Sequence, residues 1–390
     1  MLDKVKHGSL AGGASNGDNP RVPTLEGFIG EMTKIAGHAE IKSFLELCHE
    51  RHDSIITHCA IMVVMTKRIT GLDTLRLFAI VLIVIYHVAR TSLPGGFVAV
   101  EIFFVLSGFL IASKLLAGYK KGEKMSFWRF LWSRVKKFYP AMLACVLLTL
   151  ALGYFVNPDV MTRARENTLY ALTFTTNIAD IVRGTTYESQ IMPNVFQHFW
   201  FVALILQAYI IIFVLMKLIM GVTKKYRQGT KMVAIMSGLL AIVSYGLMAL
   251  YGGHYGLLDR AYFGPDTHIG GFCLGVLLAA ILALRKKDLA PTKSRWGRAG
   301  WLGLIVAALG AVTGLAFMTS YSDVRVFYFE LLTVAVVTLV VIVAILKLQT
   351  SKPVRNKLLL ASEYLGSLSF YIYLFHWPLF ILLTALWGGR

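Results

Sequence analysis

The sequence predicts an all-α polytopic membrane protein, a bundle of about nine or ten transmembrane helices. Of its 390 residues, 56% are hydrophobic and only 15% are charged, and the mean hydropathy is +0.64. Soluble domains usually carry about 25% charged residues. Several apolar runs also reach the roughly 20 residues that cross the hydrocarbon core of a bilayer. These observations exclude a soluble enzyme, a disordered chain and a disulfide-stapled secreted domain.

Apolar runs at nine places along the chain are predicted to form the spanning helices. A further run, Leu169 to Ile181, is short and carries Asn177 and Asp180, so we interpret it as an interfacial or re-entrant part of a loop. The nine predicted spans are residues 72–91, 97–117, 138–156, 198–220, 231–251, 268–284, 300–319, 326–346 and 365–387.

The formal net charge of +18 is interpreted mainly as a topology signal. Lysine and arginine residues concentrate in alternate loops between the predicted spans. By the positive-inside rule these loops are cytoplasmic, which places the N-terminus in the cytoplasm and Arg390 outside. The charge therefore indicates contact with membrane lipids rather than with nucleic acid. The basic loops are residues 114–137, 217–231, 285–298 and 347–357.

Residues 1–66 are predicted to be a cytoplasmic N-terminal extension that precedes a transmembrane domain of residues 67–390. Residues 8–20 are rich in Gly, Ser and Asn and are predicted to be disordered. The extension is either dispensable, with Met65 as an alternative start, or a regulatory tail, and it shows no signal-peptide pattern. A small group of Cys and His residues matches no standard zinc spacing, so no metal is expected. This group is Cys48, His49, His52, His58 and Cys59.

Two polar residues stand out in the first predicted span, Arg76 and His87. Eleven helical steps of about 100° bring them to nearly the same face, about 16 Å apart along the axis. A lone snorkelling arginine or a lone interfacial histidine is ordinary. Two such residues on one face of an otherwise apolar helix favour a functional site, because polar residues inside a membrane are costly.

The second span is predicted to follow a tight turn, Pro94-Gly95-Gly96, and to form a hairpin with the first. This hairpin places Glu101 at a depth close to His87. A carboxylate beside a histidine can fix its tautomer and raise its basicity. Ser107 and Gly108 favour close helix packing over a nucleophilic serine.

A cytoplasmic stretch, Arg129 to Pro140, mixes guanidinium, ammonium and aromatic groups. Arg134 and Lys137 in this stretch suit the phosphate groups of a nucleotide or diphosphate. An amphipathic helix lying on anionic lipid would have the same composition.

Together these segments resemble the acyltransferase-3 family of membrane-bound acyltransferases, which modify cell-surface and secreted glycans. The resemblance runs from about residue 68 to the end of the chain and rests on four motifs in order. The motifs are Arg76 with His87 in the first span, Gly95 to Ile111 with Glu101 where Asp is usual, Arg134 with Lys137 before Pro140, and Leu365 to Leu379 with its His376-Trp-Pro.

The chain departs from the family pattern in three places. The start of the fourth span keeps His198, Trp200 and Gln207 but lacks two usual glutamates. His268 stands where Arg is common. Relatives usually have another span after the His-Trp-Pro segment, whereas this sequence stops at Arg390, which favours a truncated chain or a bundle that closes differently.

The resemblance implies an O-acyltransferase, most often one that uses acetyl-CoA as a co-substrate, with no permanently bound cofactor. Arg76, Arg134 and Lys137 are the residues implied to hold the polyanionic donor. His87 is implied to act as general base on the acceptor hydroxyl or to carry the acyl group briefly. Glu101 would orient His87.

The implied acceptor is a carbohydrate or glycolipid, bound by His198, Trp200 and His376. O-antigen lipopolysaccharide, an exopolysaccharide, a lipo-chitooligosaccharide and a glycosylated metabolite all remain open as acceptors, and so does succinyl instead of acetyl transfer. The expected location is the bacterial inner membrane, with membrane lipids as further partners and no nucleic acid.

Two alternatives from other classes remain open. A transporter or flippase of a lipid-linked sugar would also carry polar intramembrane residues. The absence of a recognisable inverted repeat, and the restriction of the Arg–His stripe to the first span, count against it. An inactive relative that serves as a scaffold is the second alternative, because two family glutamates are missing.

Overall fold

A computed structural model describes residues 69–184, 187, 194–223, 225–285, 291–292, 294–349 and 356–388. The predicted extension of residues 1–66, with its Cys and His group, lies outside these ranges. Within the described ranges the chain forms thirteen α-helices and no β-strand. They are α1 (Leu72–Val88), α2 (Val100–Lys120), α3 (Phe127–Val156), α4 (Pro158–Leu172), α5 (Thr176–Arg183), α6 (Phe199–Val222), α7 (Tyr226–Met248), α8 (Leu258–Phe263), α9 (Gly270–Leu284), α10 (Arg295–Met318), α11 (Leu331–Leu348), α12 (Lys357–Ser367) and α13 (Ser369–Gly388).

Seven helical segments of the described chain are long and apolar enough to cross a membrane. The other two predicted spans form the shorter helices α1, with 17 residues, and α9, with 15 residues. At 1.5 Å per residue they reach about 26 Å and 23 Å, a little less than a bilayer core. The predicted all-α membrane fold is confirmed. The seven segments are Gly96–Lys120, Phe127–Val156, Phe199–Val222, Tyr226–His254, Arg295–Met318, Val326–Leu348 and Ser369–Trp387.

Three predicted boundaries differ from the structure. Helix α3 begins at Phe127, eleven residues before the predicted run, because its charged and aromatic first turns are helical without being apolar. The last predicted run is interrupted at Leu368, where α12 ends and α13 follows. The segment from Leu169 to Ile181 is divided between α4 and α5, and Phe174 between them has a left-handed φ of 56°. It therefore forms no continuous span.

Helix α2 lies at the centre of the bundle and packs most closely on α9. A Cβ added to Gly108 would overlap the carbonyl oxygen of Phe272, and one added to Gly275 would overlap that of Val105. The two backbones can approach this closely only because both positions lack a side chain. Most of α2 is buried, whereas most of α10 lies on the surface of the bundle.

Candidate active site

The first turn of α1 is held by a buried carboxylate from a distant part of the chain. Glu363 of α12 accepts hydrogen bonds through Oε1 from the backbone N–H of Gly71 at 2.8 Å, and from the N–H and hydroxyl of Thr74 at 3.0 and 2.6 Å. These donors include N–H groups that a helix start leaves without internal partners. Gly366 allows α12 to approach, because a Cβ there would overlap the carbonyl oxygen of Asp73. No sequence motif indicates this contact.

Arg76 projects from this anchored turn. Its guanidinium donates to the carboxylate of Asp73, one turn earlier on α1. Asp73 is almost fully buried, whereas the Arg76 side chain keeps 29% of its surface exposed. The arginine is therefore oriented by an acidic partner and retains open surface for a further anion.

Arg134 of α3 packs against aromatic rings. Its guanidinium is 5.4 Å from the ring centre of Phe130 and 5.7 Å from that of Tyr209 in α6, and its Nε is buried without a hydrogen-bond partner among the described residues. The hydroxyl of Tyr209 lies within electrostatic range of both Arg134 and Arg76. Two of the three cations predicted for the donor therefore act on the same buried hydroxyl group. Lys137, the third, is exposed one turn further along α3.

His87 lies in the last turn of α1, so that this helix defines an Arg76 end and a His87 end of the bundle. The Nδ1 of His87 lies 2.8 Å from the carbonyl oxygen of Ile83. A carbonyl only accepts, so Nδ1 carries the proton and the neutral ring keeps a lone pair on Nε2. The described residues offer no hydrogen bond to Nε2, and the side chain is half-buried. This is the arrangement that a general base or an acyl-carrying nucleophile requires.

Two further histidines gather around His87. The ring of His376 in α13 lies 5.0 Å from that of His87, and the ring of His198, just before α6, lies 5.6 Å from that of His376. Nδ1 of His376 donates to the carbonyl of Tyr373 at 2.6 Å, and Nε2 of His198 donates to that of Leu374 at 2.9 Å. The second ring nitrogen of each is buried and lacks a partner among the described residues. The structure thus places three predicted site residues in one cluster.

Glu101 has different partners from those the sequence predicted. It is fully buried, and it accepts from the hydroxyl of Tyr245 at 2.6 Å and faces Nε2 of His268 at 3.2 Å. Because His87 uses its Nδ1 for a backbone carbonyl, the prediction that Glu101 orients His87 is wrong. The carboxylate instead connects α2 with α7 and with the turn before α9. Gly271 leaves room for it, since a Cβ there would overlap its Oε1.

Trp200 is placed in the core rather than at an open surface. The side chain is 1% exposed, and its ring stacks on His268 at 5.4 Å and meets Tyr262 at 4.8 Å. The sequence predicted an indole on which a sugar ring could stack. This prediction is wrong, because both neighbours cover the ring.

A layer of tyrosines that was not predicted from the sequence lies at the His87 end. Asp259 of α8 holds two of its members, accepting from the N–H of Tyr187 and from the hydroxyl of Tyr321, both at 2.8 Å. Burial raises the pKa of both tyrosines, so they stay protonated at neutral pH. The hydroxyl of Tyr86, next to His87, is buried without a partner among the described residues. No sequence motif indicates this layer, because Tyr86, Tyr187 and Tyr321 come from separate parts of the chain.

No group of three or more His, Cys, Asp or Glu side chains in the described ranges is arranged to hold a metal ion. In the cluster of His87, His198 and His376, each ring donates one N–H to a backbone carbonyl.

Comparison with known families agrees with the geometry. The family model of the acyltransferase-3 family, described as an acyltransferase domain, matches residues 69–390. The chain belongs to this family of integral membrane proteins, and the resemblance seen in its motifs is confirmed. No solved structure matches the chain.

The relatives with curated names include O-acetyltransferase OatA of Staphylococcus aureus. OatA of strain NCTC 8325 / PS 47 is 26% identical over 327 residues, which cover 82% of this chain and 52% of the relative. OatA of strain MRSA252 matches to the same extent. The chain therefore spans about half the length of these relatives.

Proposed function

We propose that the protein is a membrane-bound O-acyltransferase that moves an acetyl group from acetyl-CoA to a hydroxyl group of a cell-surface or secreted carbohydrate. The observation that carries the proposal is that α1 bears a functional group near each end. His87 keeps an unengaged lone pair on Nε2, and Arg76 keeps open surface on its guanidinium. The family membership and the names of the relatives support acyl transfer of this kind.

The chemistry at the His87 end is the activation of a hydroxyl group. Nε2 of His87 takes the proton of the acceptor hydroxyl as its oxygen attacks the thioester carbonyl carbon. The carbon–sulfur bond then breaks, the CoA sulfur leaves as a thiolate, and the proton passes from His87 to it. In a two-step variant, Nε2 itself attacks the thioester carbonyl carbon and the CoA thiolate leaves. The acetyl group then passes from Nε2 to the hydroxyl oxygen, and the hydroxyl proton goes to the thiolate. His376 lies beside His87, His198 lies beside His376, and both would contribute to the acceptor side of the site.

The Arg76 end of the bundle suits the phosphate groups of the donor. Phosphate groups prefer guanidinium donors, and a partly buried arginine binds them more strongly than an exposed one. Arg76 and Arg134 would hold the phosphates of acetyl-CoA, with Lys137 at the entrance. The pantetheine arm would then carry the thioester along the bundle towards His87, about 16 Å further along α1.

The orientation follows from the charge of the loops. The Arg76 end faces the cytoplasm of a bacterial cell, where acetyl-CoA is made, and the His87 end faces outwards from the inner membrane, with the N-terminus in the cytoplasm. Acetyl-CoA is a co-substrate, and no permanently bound cofactor is needed for this chemistry.

The test is transfer of label from radiolabelled acetyl-CoA by the purified full-length protein to the carbohydrate fraction of the host envelope.

For Arg134→Gln we expect the KM for acetyl-CoA to rise about ten-fold or more, because a charge-assisted hydrogen bond contributes about 1.5–3 kcal/mol. Arg227→Gln is the matched control, since Arg227 is exposed in the first turn of α7, and it should change the KM less than about two-fold. No transfer by the wild-type protein would refute the proposed function. An unchanged KM for Arg134→Gln would refute the donor site.

A further inference from the structure

A polar cleft opens beside the cluster of His87, His198 and His376. It has a volume of about 430 Å³ and lies between one face of α4, the end of α5 and Asn194. Positions 159, 163, 166 and 167 share this face of α4, because they follow helical spacing. The charged and amide side chains that line the cleft are Asp159, Arg163, Glu166, Asn167, Arg183 and Asn194.

The walls of the cleft are held in place by hydrogen bonds. Arg183 donates to Oδ1 of Asn167 at 3.0 Å and lies 4.6 Å from the ring centre of Tyr170. Asn194 donates to Asp180 at 3.3 Å and accepts from the N–H of Phe196 at 3.0 Å. The cleft is therefore built before any ligand arrives.

Much of its hydrogen-bonding capacity is unused. No hydrogen bond or ion pair within the described ranges engages the side chains of Asp159, Arg163 or Glu166, although all three line the cleft. Two carboxylates and two guanidinium groups balance in charge, so the cleft has no net attraction for an anion or a cation. Paired acceptors and donors of this kind, with two amides, suit a ligand that has many neutral hydroxyl groups.

The cleft is also next to the reacting end of the bundle. The carbonyl oxygen of Asn194 accepts from the indole N–H of Trp377 at 3.0 Å, and the ring of Trp377 lies 4.9 Å from that of His87. The side chain of Trp377 thus lies between Asn194, which lines the cleft, and His87, the proposed general base. A chain of sugar rings bound in the cleft could present a neighbouring hydroxyl group at His87.

We propose that this cleft binds the acceptor, and that the acceptor is an uncharged oligosaccharide or polysaccharide segment. The inference rests on the proposed function and adds the binding site and the charge class of the substrate. Asp159, Arg163 and Glu166 bind hydroxyl groups of a sugar that is not itself acetylated, while His87 acts on the adjoining ring.

The test measures binding of defined sugars to the full-length protein in lipid nanodiscs by equilibrium dialysis. The probes are three uncharged tetrasaccharides (chitotetraose, mannotetraose and cellotetraose) and the anionic tetragalacturonate. We expect saturable binding of at least one uncharged probe and weaker binding of tetragalacturonate. Arg163→Gln and Glu166→Gln should each raise the Kd for that probe about ten-fold. The matched control is Arg165→Gln, an exposed arginine of α4 outside the cleft, which should leave the Kd unchanged.

Three results would overturn the inference: no binding of any uncharged probe, preferential binding of tetragalacturonate, or the same Kd in wild type, Arg163→Gln and Glu166→Gln. Turnover of radiolabelled acetyl-CoA by the wild-type protein reports on the proposed function separately. Protein that turns over acetyl-CoA without binding an uncharged sugar contradicts the cleft assignment alone. Protein that binds the sugar in the cleft and never transfers acetyl contradicts the proposed function alone.

Discussion

The substitution His87→Ala is expected to lower acetyl transfer to the carbohydrate acceptor by about 10²–10⁴-fold, the usual contribution of a positioned general base. The protein should still insert into the membrane, because His87 is half-buried in the last turn of α1 and its only described hydrogen bond goes to a carbonyl within the same helix. The measurement is transfer of radiolabelled acetyl at saturating acetyl-CoA.

The matched control for this loss is His254→Ala. His254 is an exposed histidine whose ring contacts only Tyr255 among the described aromatic residues, and its removal should leave transfer unchanged. Wild-type activity in His87→Ala would end the assignment of this residue as base or acyl carrier. Loss of the protein from the membrane in His87→Ala would show that His87 is needed for folding instead.

Glu101→Ala is expected to destabilise the protein by about 2–6 kcal/mol, because each of two buried polar groups left without its hydrogen-bond partner costs about 1–3 kcal/mol. The substitution would leave the hydroxyl of Tyr245 and Nε2 of His268 in the core without their partner. His268 donates its other ring nitrogen to the carbonyl of Tyr262 at 2.6 Å, so it cannot turn towards a new partner without losing this bond. Thermal unfolding of the purified protein, followed by loss of monodisperse material, would measure the effect.

One variant separates the hydrogen bonds of Glu101 from its charge, and a second variant is the matched control. Glu101→Gln keeps an acceptor for Tyr245 and should lose less stability than Glu101→Ala. Glu123→Ala removes an exposed carboxylate just after α2 and should leave stability within about 0.5 kcal/mol of wild type. A Glu101→Ala protein as stable as wild type would contradict the role given to the buried pair.

The sequence predicted local features well and distant partners poorly. The spacing of Arg76 and His87 depends only on helical periodicity, and the structure keeps both on α1 as predicted. The glycine at position 108 marked a close helix contact, and it lies directly against α9. Helical spacing and the lack of a side chain are local properties of the sequence, so both features can be predicted from it.

The partner of Glu101 could not be predicted in the same way. Its contact with His268 joins positions 167 residues apart, and depth in a membrane does not specify which neighbouring helix a side chain faces. The same reason hid Glu363, whose contact with Thr74 spans 289 residues. Trp200 was expected to be open because it starts a span, yet His268 stacks on its ring. Such pairings follow from how the helices pack.

The central claim is that the donor enters at the Arg76 end and the acetyl group leaves at the His87 end. Membrane vesicles of opposite orientation test it directly, because acetyl-CoA is polyanionic and does not cross a lipid bilayer. Inverted vesicles, with the cytoplasmic face outwards, should transfer label from external acetyl-CoA to their carbohydrate without permeabilisation. Right-side-out vesicles should do so only after permeabilisation. Equal labelling of intact vesicles in both orientations, or labelling by intact right-side-out vesicles alone, would contradict the account.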